Sequence, residues 1–432
     1  MKTINFLCLL FLGFIISGAG NRLSAQQTKT NLWSNGQKKS EGMVKDSLEE
    51  GKWVSWYANG SKYSEGQYQQ GKKTGKWIYW YDDGKKWSEI QMESGLQVSW
   101  YVNSQKEREG QVNEGKKTGK WQTWYENGKL KEELEYKNDL KEGAVSTWYE
   151  DGTLQFKGTN RNGKLNGYAF WYRKDGKAEM EGKLLDDLQD SSWVFYHENG
   201  KVGSKGNFKE GKRSGNWIFY YKTGEKWRKG DYDKDLRTGF WNAWYESGIR
   251  QREGSFLLDK EEGEWSSWTE DGKLKDKGFF KAGKMDGHWH GWYNNGNDKY
   301  DAYYKNDLKD GMYTFWYISG QKQSVGLYAG GLMNGHWTTW YNNGNTQDMG
   351  TYKNDVKQGY WSFFDAQGVK IQEQMLVDGH PEGKWVSFYD NGKKQSEGNY
   401  INKAKDGKWI YYDRNGKVVY SVSFEKGKKV LR

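Results

Sequence analysis

Gly51-Lys52-Trp53-Val54-Ser55-Trp56-Tyr57-Ala58-Asn59-Gly60 decides how this chain is read. The aromatic and β-branched run from Trp53 to Tyr57 ends in Asn59-Gly60, and a second strand-like run, Lys62 to Tyr68, follows. Asn-Gly between two such runs predicts a two-residue type I′ hairpin turn, because both central residues of that turn need positive φ. The glycine of position 60 recurs at 36, 84, 128, 152, 176, 200, 224, 248, 272, 296, 320, 344, 368, 392 and 416. Only Ser104 breaks the column, and the spacing is 24 residues except for one step of 20 between Gly84 and Ser104. Asn-Gly or Asp-Gly fills 12 of the 17 turns. So strict a period means one structural unit copied along an axis.

Three further columns repeat with the turn. The Trp56 column is aromatic in all 16 copies, as ten Trp, four Tyr and two Phe, and the Trp53 column is Trp in 12 of 16. The Gly51 column is Gly in 15 of 16, with Ser191 the exception. With Asn59-Gly60 as the loop, Trp53 falls opposite Gly66, a column that is Gly in 12 of 17 copies. A glycine there leaves room for the indole to cover bare backbone, the aromatic-rescue arrangement. The expected cover therefore lies within one hairpin, Trp53 over Gly66 and Trp241 over Gly254. Side chains alternate along a strand, so Trp56 falls on the other, mostly polar face. Its ten tryptophans, Trp56, Trp80, Trp100, Trp124, Trp148, Trp244, Trp268, Trp292, Trp316 and Trp340, form a candidate binding ladder. Packing of these rings on linkers or on each other is the structural alternative. The segment Gln69 to Lys76, with Gly71 and Gly75, reads as a linker to the next hairpin.

Composition bounds what such a chain can be. Among 432 residues there are 26 Trp, 31 Tyr, 17 Phe and 57 Gly, with one Pro (Pro381) and one Cys (Cys8). A mean hydropathy of −1.11 with 29% charged residues would suit disorder, but 17% aromatic does not. The balance excludes a collagen-like chain, a disulfide scaffold and a multi-span membrane protein. Lys2, the apolar run Ile4 to Ile16 and the exit Leu23-Ser24-Ala25-Gln26 predict a secretory signal peptide cleaved after Ala25, with Ala19 as the second site. The domain plan is then a signal peptide (1–25), an N-terminal half-repeat around Trp33-Ser34-Asn35-Gly36 (26–48), sixteen hairpin repeats (49–424) and a basic tail (425–432). Export places the protein in the periplasm, at the cell surface or in the medium.

The phrases Gly75-Lys76-Trp77, Trp80-Tyr81, Asp83-Gly84 and Glu397-Gly398-Asn399-Tyr400 resemble the MORN repeat, in the bacterial variant of YwqK-family antitoxin-like proteins. The resemblance covers residues 31 to 427. It implies an all-β fold, an elongated single-sheet array of antiparallel β-hairpin repeats with a 24-residue period (a MORN-like solenoid). It also implies protein or membrane-lipid contact, with toxin binding suggested by some relatives' names. Choline- and glucan-binding repeats share Gly-Trp and Trp-Tyr-Tyr phrases but run at a shorter period.

Chemistry is present only in outline. Gly66 to Lys73 nearly spells a phosphate-binding loop, but Lys73 stands where Ser or Thr must hold Mg²⁺ and no helix pattern follows. His197, His288, His290, His336 and His380 are too few and too scattered for a zinc site, which takes three or four ligands. They read as solvated strand positions. Lys72-Lys73, Lys116-Lys117 and Lys212-Arg213 read as solvating linker charge. The expectation is a non-catalytic protein with no catalytic residue, metal or cofactor. It would serve as a binding or scaffolding module for a protein partner, not for nucleic acid. The alternative is a surface protein whose aromatic ladder binds carbohydrate or anionic lipid.

Overall fold

The computed structural model describes residues 26–430. The segment read from the sequence as a signal peptide, residues 1–25, and the last two residues of the basic tail lie outside the described residues. The chain divides into two compact units: residues up to 165 with 174–176, and residues 166–173 with 177 onward. Among the described residues there are 36 strands and no helix. Within each unit successive strands pair antiparallel with their neighbours in sequence, for example Leu48–Trp56 with Lys62–Gln69, and that strand with Lys72–Trp80. The expected all-β architecture of antiparallel hairpin repeats is present in both units. The 26–48 segment holds a hairpin of its own, Gln27–Leu32 against Lys38–Lys45, and Lys428–Val430 pairs with Val418–Glu425.

The two turns of each repeat exchange the roles expected of them. At Asn59-Gly60 the Gly60 amide donates to Tyr57 O and the Tyr57 amide to Ser61 O, so three residues form the loop. Gly60 alone has positive φ (85°), while Asn59 does not. This is a type I turn closed by a glycine bulge, not a type I′ turn. Asn59 serves it through its side chain, whose Oδ1 accepts from the Ser61 amide at 2.9 Å. The type I′ turns sit in the segments read as linkers. Gln70 (51°) and Gly71 (74°) both have positive φ, as do Asn138-Asp139 and Leu258-Asp259. The linker is thus a second two-residue hairpin turn, and each unit is a continuous meander.

The expected register of Trp53 opposite Gly66 holds, because two shifts cancel. The glycine bulge moves the pairing one residue, and the irregularity between Ser55 and Trp56, which skips Tyr63, moves it back. The direction of the ring differs from expectation. Trp53 also lies opposite Gly42 on the preceding strand, and it is Gly42 that the indole covers: a Cβ there would stand 2.3 Å from the ring. Gly66 is covered by Trp77 and Gly254 by Trp265, while Trp241 covers Gly230. The ring leans that way because its Nε1–H finds a carbonyl on that strand, Met43 O at 3.0 Å for Trp53. The carbonyl is reached beside a bulge: Met43 pairs with Glu50, leaving Gly51 and Lys52 extra, with Gly51 at φ 68°. That conformation accounts for the Gly51 column.

Candidate functional site

One face of the sheet is a run of interlocked rings. From Trp217 through Tyr232, Trp241, Phe256, Trp265 and Phe280 to Trp289, each ring meets the next edge to face, with centroids 5.0–6.2 Å apart. Trp193, Trp361 and Trp409 are each only 1% exposed, so this face holds the core. Cations close it. Lys73, Lys117, Lys357 and Lys405 set their ammonium groups over Trp77, Trp121, Trp361 and Trp409, at 4.2, 4.6, 3.9 and 4.0 Å from the ring centroids. Arg213 lies over Tyr232 in the same way. The second residues of the basic pairs, Lys73, Lys117 and Arg213, therefore act as lids on the core instead of as solvating charge, as do Lys357 and Lys405.

The ladder tryptophans stand on the opposite face, as the alternation requires, since the strand stays regular from Trp53 to Ser55 against both neighbours. All ten are half-buried. Five carry a cation: Lys38 at Trp56, Lys62 at Trp80, Lys86 at Trp100, Lys106 at Trp124 and Arg250 at Trp268, between 5.0 and 5.8 Å. Carboxylates hold these cations in place, as Glu65 holds Lys62 and Lys52 at 2.7 Å each. Those two lysines keep the Glu65 carboxyl below the usual carboxylate range. Trp292 is stacked on His290 at 4.2 Å, and His290 in turn reaches Asp298 at 2.7 Å. His288 reaches Asp301 at 2.9 Å, so both histidines are engaged. Among the described residues no group of three or more His, Cys, Asp or Glu is arranged to hold a metal ion.

Sequence reasoning missed the column after the ladder. Tyr57 donates its hydroxyl to Trp80 O at 2.9 Å, Tyr221 to Trp244 O at 2.8 Å and Tyr245 to Trp268 O at 2.8 Å. These turns are thus tied to the ladder residue of the next repeat. Burial raises the Tyr57 and Tyr221 phenols above the usual range. Asn at the turn adds a parallel tie, Asn127 Nδ2 to Glu150 O at 2.9 Å.

Two more columns gain meaning only in three dimensions. On the ring face, the Ser55 column pairs with the Ser64 column. Across the middle of the second unit the first reads Phe195, Phe219, Ala243, Ser267, Gly291, Phe315, Thr339, Phe363. The second reads Ser204, Arg228, Arg252, Asp276, Tyr300, Ser324, Asp348. They alternate across the sheet as one strip, Phe219 beside Arg228 beside Ala243 beside Arg252 beside Ser267. The strip does not repeat. Clefts open along it, one of about 410 Å³ among Tyr313, Phe315, Ser324, Tyr328 and Trp337, and one of about 420 Å³ among Arg252, Trp265, Asp276 and Tyr300. Burial pulls the Arg228 and Arg252 guanidiniums below the usual arginine range; the nearby Arg237 adds to this, while Tyr232 opposes it at Arg228 and Glu261 at Arg252.

Strands of eight or nine residues, a bulge glycine and a ring over a glycine define a β-hairpin repeat protein. The sequence pattern of the MORN repeat variant matches nine segments, residues 49–70, 73–93, 117–138, 141–159, 189–210, 261–282, 333–354, 381–402 and 405–426. The chain is a MORN-repeat protein. No curated protein matches its sequence. Among solved structures, it is similar to TcdB2-TccC3-Cdc42, at 9% identity, 94% coverage of this chain, 26% of that chain and a TM-score of 0.15. It is also similar to the Photorhabdus luminescens Tc holotoxin pore, at 9% identity, 92% and 22% coverage and a TM-score of 0.14. The chain thus spans about a quarter of the length of those proteins.

Proposed function

We propose that this MORN-repeat protein is an exported, non-catalytic module that binds or scaffolds a protein partner through the ring face. The non-repeating strip carries the reading. A polysaccharide offers the same group again and again, so a surface built for it repeats too. Here the repeating columns are spent on folding: the Trp53 column on covering glycine, the Tyr57 column on tying turns. The columns left free hold Phe, Arg, Ala, Ser, Asp, Gly, Tyr and Thr in no order. A protein surface has that kind of irregular chemistry, with aromatic and arginine anchors in clefts. The periodic ladder of the other face is half-buried and partly covered by cations, which leaves less ring for sugar stacking. An antitoxin-like role is one form this binding would take. Export rests on the leader pattern of residues 1–25.

Thr338 and Thr339 are neighbours on opposite faces, so they make the test. A photo-crosslinking residue at Thr339 should give discrete protein adducts in the producing cell, and one at Thr338 should not. Adducts from Thr338 alone, or polysaccharide adducts from Trp340, would transfer the function to the ladder face. A mature N-terminus at Gln26 outside the cytoplasm tests the export.

A further inference from the structure

We propose that the gap over Ala243 is a carboxylate-binding site, in which Arg228 and Arg252 hold from two sides an acidic group supplied from outside the chain. Ala243 occupies the column that holds Phe219, Phe195 and Phe315 in other repeats. It pairs with Arg228 on one neighbouring strand and with Arg252 on the other, so the two arginines share its face two strands apart, about 10 Å. Where a ring would fill that space, a cleft of about 190 Å³ remains. Trp241, Phe256 and Trp265 wall it, and Arg237 joins the two arginines in its lining.

The arginines are preset rather than free to swing. Arg228 lies over Phe219 and Trp227, at 4.4 and 4.2 Å, and Arg252 lies over Trp265 at 4.1 Å. Their neighbours show what satisfies a guanidinium here. Arg213 bonds Asp235 at 3.1 Å and Arg237 bonds Asp259 at 2.8 Å. Arg252 has only a long contact with Glu261, at 3.6 Å. Arg228 Nε is buried with no hydrogen-bond partner. A buried guanidinium nitrogen left unbonded, close to other cations, is costly unless an anion completes it. A carboxylate matches the planar fork, and it is the group that the flanking arginines already take from this chain.

Two sources offer that chemistry: an acidic side chain on a protein, or a free dicarboxylic acid. The site goes beyond the protein-partner reading and is tested apart from it. Calorimetric titration of the full-length chain with hexaglutamate peptide, succinate and inorganic phosphate separates the cases. The expected result is carboxylate binding that falls at least tenfold in Arg228→Met and vanishes in Ala243→Phe. The phenylalanine variant should fold, since sister repeats carry that residue at the same place, and its circular dichroism verifies this. A preference for hexaglutamate assigns the site to a protein side chain, and a preference for succinate assigns it to a free acid. Either supports the site. Absence of carboxylate binding, a response to phosphate alone, or binding undiminished in folded Ala243→Phe overturns it. Loss of Thr339 crosslinks with carboxylate binding intact would instead remove the partner reading and leave the site.

Discussion

Most repeats place two aromatic residues three apart in one strand, and the two faces use them differently. Trp241 on the ring face is 4% exposed, covers Gly230 and donates its Nε1–H to Asp231 O and Thr238 O, 3.2 Å each. Trp244 on the other face is half-buried, and its backbone carbonyl, not its ring, takes the tie from Tyr221. Packing energy is therefore concentrated on one face. On the other, a mixed layer of half-buried rings, cations and carboxylates gains little per contact, because partial burial and solvent screening weaken both apolar and ionic terms.

The sharpest way to break this contrast is to truncate both rings in one strand. Trp241→Ala should cost about 3–5 kcal/mol, as for other buried ring truncations. Trp244→Ala should cost less, about 1–2 kcal/mol, since its ring is only partly buried and lies in a solvated ionic layer. Urea unfolding of the two variants, with hydrogen exchange over Leu236–Trp244, measures both, and equal losses would abolish the distinction between the faces. Next comes the glycine under the ring. A Cβ at Gly230 would stand 2.1 Å from the Trp241 ring, so Gly230→Ala should destabilise by about 1–3 kcal/mol through overpacking. Under the within-hairpin cover expected from the sequence, Trp241 would instead respond to Gly254→Ala, so indole exchange or fluorescence at Trp241 in the two variants decides between the directions.

Smaller effects belong to the ties. Tyr245→Phe removes the bond to Trp268 O and should cost about 1 kcal/mol, read as a lower urea midpoint with an unchanged spectrum. Smallest is the ion layer over the ladder. The Glu65 carboxyl is lower in the folded chain than its ordinary value of 4.5, so its contribution is present above that value and fades as pH falls through the lowered one. Lys52→Met should remove about 0.2–1 kcal/mol at neutral pH and little in acid, with high salt masking the difference. A loss that grew as the solution was acidified would contradict the assignment.

The direction of ring cover was legible in the sequence, though register alone did not disclose it. Where the tryptophan is missing, the glycine eleven residues before it, or seven in the short repeat, is often replaced: Leu134 precedes Val145, Ile90 precedes Gln97 and Ala302 precedes Tyr313. The opposite pairing lacks that match, since Val145 faces an unchanged Gly158. The turn assignment failed for another reason. Asn-Gly suits both a type I′ turn and a glycine bulge, and composition cannot say whether Asn takes positive φ. The true type I′ turns, at pairs such as Gln70-Gly71 and Lys234-Asp235, carry little of the usual signal because pairing on both sides imposes the conformation. The strip was invisible for a simpler reason. A search for the repeat keeps the columns that recur and discards those that vary.

By itself the sequence determined the period, the hairpin, the antiparallel all-β class and the opposition of the two ring columns. These follow from local rules: alternation along a strand, glycine at a turn and one motif copied many times. Only the tertiary structure decided which strand each indole covers, where the cations rest and that Arg228, Ala243 and Arg252 meet. Those outcomes depend on where bulges shift the register and on residues 24 apart in sequence that come to lie about 10 Å apart across three strands. Strand pairing makes them neighbours, and their chemistry becomes a site only once a small side chain stands between them.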